Sequence, residues 1–579
     1  MSAELPTSTT ATPHLTRSYA RGATDVALIE QPIGAFFDAV AARQPAREAL
    51  VSRHQGRRYS YGELQRETDR LASALLGLGL QPGERVGIWS HNNAEWVLLQ
   101  LATAKVGLIL VNINPAYRTA EVEYALNKVD CKALVTMARF KTSDYFGMLR
   151  ELAPEWAHGQ PGQLESVALP HLKTVVWIDE AGQGEEQPGL TRFSSLLASG
   201  NPDDARLADV AATLKATDPI NIQFTSGTTG FPKGATLTHR NILNNGFFIG
   251  EAMKLTPDDR LCIPVPLYHC FGMVLGNLAC LTHGATIVYP NDGFEPLSVL
   301  QTVQDEQCTG LHGVPTMFIA ELDHPRFADF DLSTLRTGIM AGSPCPTEVM
   351  KRVVSDMNLS QITIAYGMTE TSPVSCQSSI DTPLGKRVST VGLVQPHLEV
   401  KIINPESGGI VAPGVSGELC TRGYSVMHGY WEDPARTLEA IDAEAWMHTG
   451  DLATMDVEGY VNIVGRIKDM VIRGGENIYP REIEEFLYRH PKVQDVQVVG
   501  LPDKRYGEEL CAWIVIRPGE TLVEEEIRAF CKGKIAHYKV PRYIRFVPGF
   551  PMTVTGKIQK FKIRDEMKNQ LGLQEDPAA

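Results

Sequence analysis

Ten consecutive residues, Thr225 to Gly234 in "NIQFTSGTTGFPKGATLTHRN", hold four hydroxyl side chains, three glycines and one lysine. The alternating apolar residues Ile220, Ile222 and Phe224 lead in, so a strand feeds this loop and a helix is expected to follow. Glycines let backbone N–H groups turn toward a ligand, hydroxyls add donors, and Lys233 adds charge; together these make a phosphate cradle. A Walker A loop needs Gly directly before its Lys, and here Pro232 stands there. A plain Gly-rich turn is the bland alternative for the loop taken alone.

The elements that must position such a loop are legible around it. "YGELQRETDRLASALLGLGL" carries Leu64, Leu71, Leu75 and Leu78 at helical spacing. "GERVGIW" reads as a strand, "NAEWVLLQLATAKVG" as a helix and "LILVNINP" as a strand ending at Pro115. This is the βαβ rhythm of a parallel sheet flanked by helices. It continues through "GATIVYP", "CTGLHGVP", "LRTGIMAGSP" and "QITIAYGMTE", each a buried strand running into a Gly-rich or polar loop. Ligands in such α/β sheets gather at the carboxyl ends of strands. From about residue 390 to 465 short alternating strands and turns predict a smaller β-rich unit. Beyond "GRIKD", the helix "PREIEEFLYRHP" with Pro480 in its first turn, the strands "VQDVQVVGLPD" and "ELCAWIVI" and the helix "VEEEIRAFCKG" predict a compact α+β domain. The expected fold class is therefore α/β, with a disordered tail over 1–30, a large N-terminal domain over 31–467 and a mobile small C-terminal domain over 468–579.

Bulk properties narrow the function. With 579 residues the chain exceeds one compact core. Its net charge of −14 gives a nucleic-acid role no basic footprint. No apolar run is long enough to span a bilayer; the nearest, from Trp96, is interrupted by Gln100 and Lys105. None of the ten cysteines forms a C-x-x-C pair, so zinc and redox spacings are absent and free thiols in a reducing compartment are expected. The first residues lack the apolar core of a signal peptide, and Glu4 and Asp25 weaken a transit-peptide reading. A cytoplasmic location follows, or the mitochondrial matrix if the tail is a transit peptide.

"TSGTTGFPKG" resembles the phosphate loop of the adenylate-forming superfamily, which comprises acyl-CoA synthetases, luciferases and peptide-synthetase adenylation domains. The resemblance continues in order through "NPAYRTAEVEYALN", "PLYHCFG", "YGMTE", "GELCTRGYSVMHGY", "HTGDLA", "GRIKDMVIRGGENIYPREIE" and "PMTVTGKIQK". It covers about residues 35 to 565. The N-terminal and middle segments are most similar to the medium-chain fatty acyl-CoA ligase branch.

The resemblance implies ATP, Mg²⁺ and CoA, and a role for each matching residue. Thr225, Ser226, Gly227, Thr228, Thr229, Gly230 and Lys233 would hold the β- and γ-phosphates. Glu370 would ligate Mg²⁺ as a hard oxygen donor, with Thr369 toward the α-phosphate. Tyr366, beside Gly367, would stack on adenine, with Gly342 and Ser343 of "AGSPCP" on the other side of the base. Asp451 and Arg466 would bind the ribose. Lys557 would bridge the carboxylate and the α-phosphate, stabilising charge that grows only in the transition state. Lys468 occupies the hinge position, where acid-activating relatives often carry Asp. Gly474 and Gly475 would line the CoA channel after the small domain turns. His269 would gate an acyl pocket with Phe271, Gly272 and Gly276, although close helix packing also accounts for those two glycines. No Asp that could pair an α-ammonium stands in this region, which favours a plain carboxylic acid.

The implied activity is an ATP-dependent acyl-CoA synthetase acting through an acyl-adenylate. Three alternatives stay open: a fatty acyl-AMP ligase loading a carrier protein, an aryl-acid CoA ligase, and an adenylate-binding regulatory protein. The last would lack Lys557 or Glu370. A homodimer is compatible with the sequence. No G-x-S-x-G elbow supports a hydrolase.

Overall fold

The computed structural model describes residues 14–179, 187–225, 232–343, 345–473, 476–503, 505–553 and 556–573. Ser226, Gly227, Thr228, Thr229, Gly230, Gly474 and Gly475 lie outside the described residues.

The βαβ rhythm builds two large sheets. In the first, Arg85–Trp89, Ile109–Asn112, Ala133–Thr136, Thr174–Trp177 and Pro219–Thr225 run parallel to their neighbours, and Lys233–Thr238 and Gly429–Tyr430 extend the edge antiparallel. In the second, Glu48–Ser52, Thr286–Tyr289, Arg260–Cys262, Gly310–Gly313, Thr337–Met340 and Gln361–Gly367 are parallel. The helices Tyr61–Gly77, Ala94–Lys105 and His239–Met253 share one buried apolar cluster with strands of both sheets.

Ala94–Lys105 is buried at every position, as its apolar run predicts. Its two polar interruptions are both satisfied. Gln100 Nε2 donates to Met273 O at 3.2 Å, and the Lys105 ammonium pairs with Asp38 and with Asp69, the latter at 2.5 Å. A buried charge survives only when paired in this way.

A third, antiparallel sheet joins Leu398–Ile403, Gly417–Gly423, Met447–Met455 and Val461–Arg466. Its outer strand is Tyr19–Arg21, paired with Lys401, Val400 and Glu399. The disordered tail expected over 1–30 is thus corrected for its described part. Beyond this strand, Ile29 N–H donates to Asn244 Oδ1 at 2.6 Å and Ile33 N–H to His239 Nδ1 at 3.1 Å. Backbone donors with such partners hold a segment that composition alone marks as loose. A fourth sheet holds Val471–Arg473, Glu476–Ile478, Val493–Asp503, Gly507–Ile516 and Tyr543–Phe546. Pro480 opens the helix Pro480–Leu487 as expected.

A second correction concerns the phosphate loop. It does not run into a helix. Lys233–Thr238 first returns antiparallel to Pro219–Thr225, with Lys233 opposite Thr225. Helix His239–Met253 starts only after Thr238, whose hydroxyl caps Asn241 N–H at 3.1 Å while Asn241 Oδ1 accepts Thr238 N–H at 2.8 Å. The strands that flank residues 226–231 therefore pair with each other, and the helix starts only after the second of them.

All ten cysteines are free and buried. Among the described residues, no helix is long and apolar enough to cross a membrane.

Candidate active site

The hairpin delivers Thr225 and Lys233 to the end of "YGMTE". Thr225 Oγ1 donates to Glu370 Oε1 at 3.2 Å. The Tyr430 hydroxyl donates to the same oxygen at 2.8 Å, and Lys233 Nζ donates to the Tyr430 oxygen at 3.0 Å while lying 4.3 Å from its ring centroid. Glu370 is buried at 5% exposure, so its carboxylate needs these donors. Glu370 O also accepts Met427 N–H at 2.9 Å, which ties "YGMTE" to the "YSVMHGY" segment. Among the described residues Oε2 accepts no hydrogen bond, so this carboxylate would fit a hard divalent cation such as Mg²⁺ as an oxygen ligand.

Tyr366 and Asp451 are joined directly: the phenol donates to Asp451 Oδ2 at 2.7 Å. Arg466 Nε lies 3.3 Å from Asp451 Oδ1. Burial, and next the Asp451 charge, push the Tyr366 phenol well above its ordinary pKa, so it stays a donor. Gly342 has φ +91°, a conformation that requires glycine, and a Cβ there would meet Val314 Cγ1 at 3.1 Å. At Gly367 a Cβ would lie 1.7 Å from Pro373 O, which leaves no room for any side chain. Ser343 is half-buried in the same loop as Gly342. Thr369 is buried, with its hydroxyl 3.9 Å from Cys270 Sγ.

Lys557 arrives from far along the chain. Met552 and Ile558 form an antiparallel bridge, and Thr553 N–H donates to Lys557 O at 2.8 Å. Gly556, at φ +76°, turns this tight loop, and its carbonyl accepts Thr316 Oγ1 at 3.4 Å. Val314 thus stands between Gly342 and Gly556, whose own Cβ would come 3.0 Å from Val314 Cγ2. Desolvation and the nearby Arg466 push the Lys557 ammonium down to about 8, against the pull of Asp451, Glu370 and Asp469. The side chain is exposed, so solvent moderates this shift. Lys468 is exposed, between the third and fourth sheets.

His269 is half-buried and accepts Phe271 N–H on Nδ1 at 3.1 Å. That bond places its proton on Nε2. Burial, then the Lys557 charge, push its pKa down to about 4, so the ring is neutral and acts as a hydrogen-bond donor. A buried polar ladder holds its loop: Gln223 to Asn221 at 2.8 Å, Asn221 to Asn112 at 2.9 Å, and Asn112 to Tyr268 O at 2.9 Å. Phe271 and the glycines Gly272 and Gly276 lie in a buried π-helix, Phe271–Leu278. A Cβ at Gly272 would come 2.5 Å from Pro266 O, and one at Gly276 2.8 Å from Ile263 Cδ1. Close packing is what requires glycine at both positions, and an open acyl tunnel over these two is corrected to a packed wall.

The structure therefore gathers Thr225, Lys233, Glu370 and Thr369 into one group, and Tyr366, Asp451, Arg466 and Lys557 into a neighbouring one. Sequence reasoning missed Tyr430 as a site residue, although it ends the quoted segment "GELCTRGYSVMHGY". It also missed Val314 and Thr316, which directly follow the strand read in "CTGLHGVP".

The AMP-binding enzyme family matches residues 37–431, and the AMP-binding enzyme C-terminal domain matches 482–557. The medium-chain acyl-CoA ligase ACSF2, mitochondrial, of Rattus norvegicus is 47% identical over 562 residues, 96% of this chain and 91% of its own. The putative acyl-CoA synthetase YngI of Bacillus subtilis (strain 168) is 49% identical over 540 residues, 93% of this chain and 97% of its own. Among solved structures, the anthranilate CoA ligase AuaEII in complex with anthranoyl-AMP superposes with a TM-score of 0.84 at 27% identity, covering 95% of this chain and 99% of that one. ATP-bound MatB from Rhodopseudomonas palustris gives 0.79 at 27% identity, covering 93% and 99%. With Glu370, Asp451 and Lys557 brought close together, and with family matches over residues 37–431 and 482–557, this protein belongs to the AMP-binding enzyme family and is one of its AMP-forming acyl-CoA synthetases.

Proposed function

We propose that this synthetase activates a medium-chain fatty acid, with Mg²⁺ as its cation and CoA as the acyl acceptor. Support for the chain length comes from the ACSF2 relatives, which are medium-chain acyl-CoA ligases, and from the apolar wall beside His269. The reaction runs in two steps. A carboxylate oxygen attacks the α-phosphorus of ATP and pyrophosphate leaves; the CoA sulfur then attacks the acyl carbonyl, AMP leaves, and the thiol proton passes to solvent.

Each of these groups has a task in the first step. Lys233, now on Tyr430, pairs with the β- and γ-phosphates. Bound at Glu370, Mg²⁺ would neutralise charge on the leaving pyrophosphate. Thr225 and Tyr430 orient that carboxylate. Asp451 accepts from the ribose hydroxyls, held in place by Tyr366 and Arg466. Lys557 places a cation where negative charge grows between the acid and the α-phosphate, and such preorganised charge is worth most in the transition state. Neutral His269 donates through Nε2 to the acid rather than taking its proton.

For the second step the segment after Lys468 turns, withdrawing Lys557 and bringing the Gly474–Gly475 loop to the same carbonyl. The single observation that carries the reading is the approach of Lys557 to the Glu370–Asp451 cleft from a hairpin docked on Val314 and Thr316. AMP release with CoA, measured over straight-chain acids from butyrate to stearate and over aryl acids, tests it. A maximum at intermediate chain length is expected; turnover confined to aryl acids or independent of CoA overturns it.

A further inference from the structure

On the face of the third sheet lies a side-chain group that adenylation does not use. Strands Gly417–Gly423 and Met447–Met455 pair with Cys420 opposite His448, and a register shift then separates Glu418 from Cys420 along the ladder. The extra residues form a bulge whose Gly450 has φ +69°. Glu418, Cys420 and His448 bring one donor atom each within 4.8 Å of one another. His448 Nδ1 is 3.0 Å from Glu418 Oε2 and 3.6 Å from Cys420 Sγ. Its other nitrogen, Nε2, lies 3.5 Å from Asp442 Oδ2.

We infer that Glu418, Cys420 and His448 form a binding site for a zinc-class divalent cation that staples the bulge presenting Asp451. The donor set is borderline-soft, which selects zinc over the Mg²⁺ that serves the nucleotide. A tetrahedral zinc with bonds of about 2.1 Å to nitrogen and about 2.3 Å to sulfur sets those donors about 3.6 Å apart, the separation already present. Nitrogen and oxygen donors would stand about 3.4 Å apart, against 3.0 Å between His448 Nδ1 and Glu418 Oε2, and since the three donors lie within 4.8 Å of one another, Glu418 shifts to close the set. Asp442 on the remote nitrogen completes the carboxylate–histidine–metal arrangement that fixes the ligating tautomer. Cys420 is buried, and Glu418 and His448 retain 12% and 32% side-chain exposure, so a path from solvent reaches the group.

The staple follows from which oxygens are engaged. Glu418 Oε2 faces His448, while Oε1 accepts Gly450 N–H at 3.1 Å. A cation on Oε2 leaves the Gly450 bond intact and links both strands across the bulge, one residue before Asp451. Binding forms the metal–sulfur bond while the thiol proton leaves to solvent, as a coordinating thiol requires.

The test uses the full chain, stripped with a chelator and titrated with Co²⁺. One equivalent should give the near-ultraviolet thiolate-to-cobalt band and the visible bands of four-coordinate cobalt, and Zn²⁺ should abolish both. Cys420→Ser should lose the thiolate band, His448→Gln should weaken Co²⁺ binding at least tenfold, and Zn²⁺ should raise the Tm of the parent but not of Cys420→Ser. Folding of each variant is checked by its ATP-dependent pyrophosphate release, for which Cys420 is not needed. Absence of a thiolate band in the parent, or its survival in Cys420→Ser, overturns the assignment, because the sulfur would then come from another of the buried cysteines.

Discussion

Replacing Tyr430 with Phe removes one oxygen from the middle of the Lys233–Tyr430–Glu370 relay and keeps the ring. The packing of Lys233 on the ring face, 4.3 Å from its centroid, is retained. What is lost is the 2.8 Å hydrogen bond to Glu370 Oε1 together with the 3.0 Å bond from Lys233, leaving that oxygen, among the described residues, with Thr225 at 3.2 Å. Tyr430 is 6% exposed, so water does not freely replace the missing donor. A hydrogen bond to a charged group contributes about 1.5–3 kcal/mol. At about 1.4 kcal/mol per decade of rate, adenylation should slow roughly 10- to 150-fold. Pyrophosphate release without CoA measures this. Thioester formation from supplied acyl-AMP and CoA needs no pyrophosphate to leave and should run at the parent rate. An unchanged adenylation rate would refute the role of Tyr430, and equal loss in both steps would show that the substitution merely damages the fold.

Lys557→Ala should cost several orders of magnitude in acyl-AMP formation and spare thiolysis of supplied acyl-AMP; equal loss in both half-reactions would sink that role. Lysine is charged below its pKa, and here that pKa is pushed down to about 8, so kcat/KM for adenylation should fall as pH rises through that region. Lys557→Arg, whose guanidinium stays charged, should remove this alkaline limb, and a limb that persists in it belongs to another group. Glu370→Gln keeps the shape of the side chain but not its charge, so ATP use should drop sharply and depend more steeply on Mg²⁺; an unchanged Mg²⁺ dependence counts against the ligand. Lys468→Pro and Gly475→Leu should still release pyrophosphate yet fail to make acyl-CoA, and parent-rate thioester formation by Gly475→Leu from supplied acyl-AMP would remove the loop from the thiol channel.

The elements legible in the sequence are those whose pattern is local. Leu64, Leu71 and Leu75 repeat at helical spacing and are all buried on one helix. Ile220 and Ile222 alternate toward Thr225 and lie in the strand that carries it. The returning strand Lys233–Thr238 was masked by Lys233, Gly234 and Ala235, poor strand formers that are held by pairing on both edges. Tyr19–Arg21 has three residues and no pattern of its own; its partners lie some 380 positions further on. The same holds for Tyr430, sixty positions from Glu370, and for Val314 and Thr316 under Gly556. Motif reading located one side of each contact, but only the fold brings in the other.

How firmly Lys557 is held matters as much as where it sits. Across the junction after Lys468 the described residues meet through hydrogen bonds, Thr316 to Gly556 O, Thr347 N–H to Glu485, Gln494 to Asp323 and Arg481 to Ile463 O, with Val314 beside Gly556. The apolar clusters of the last sheet, around Val471, Val498 and Leu510 and around Trp513 and Ile563, draw only on residues from 471 onward. Turning that sheet away therefore uncovers no shared apolar core. Each broken hydrogen bond is exchanged for one to water at a net cost of about 1 kcal/mol. A balance this even leaves bound ligands to decide the orientation, because a ligand shifts an equilibrium by its differential affinity for the two states. On the proposed alternation, the phosphates of ATP would attract Lys557 and favour the docked hairpin, and departure of pyrophosphate would remove much of that charge. A weak junction of this kind would let one cleft serve the two proposed steps in turn, with the first product setting the time of the change.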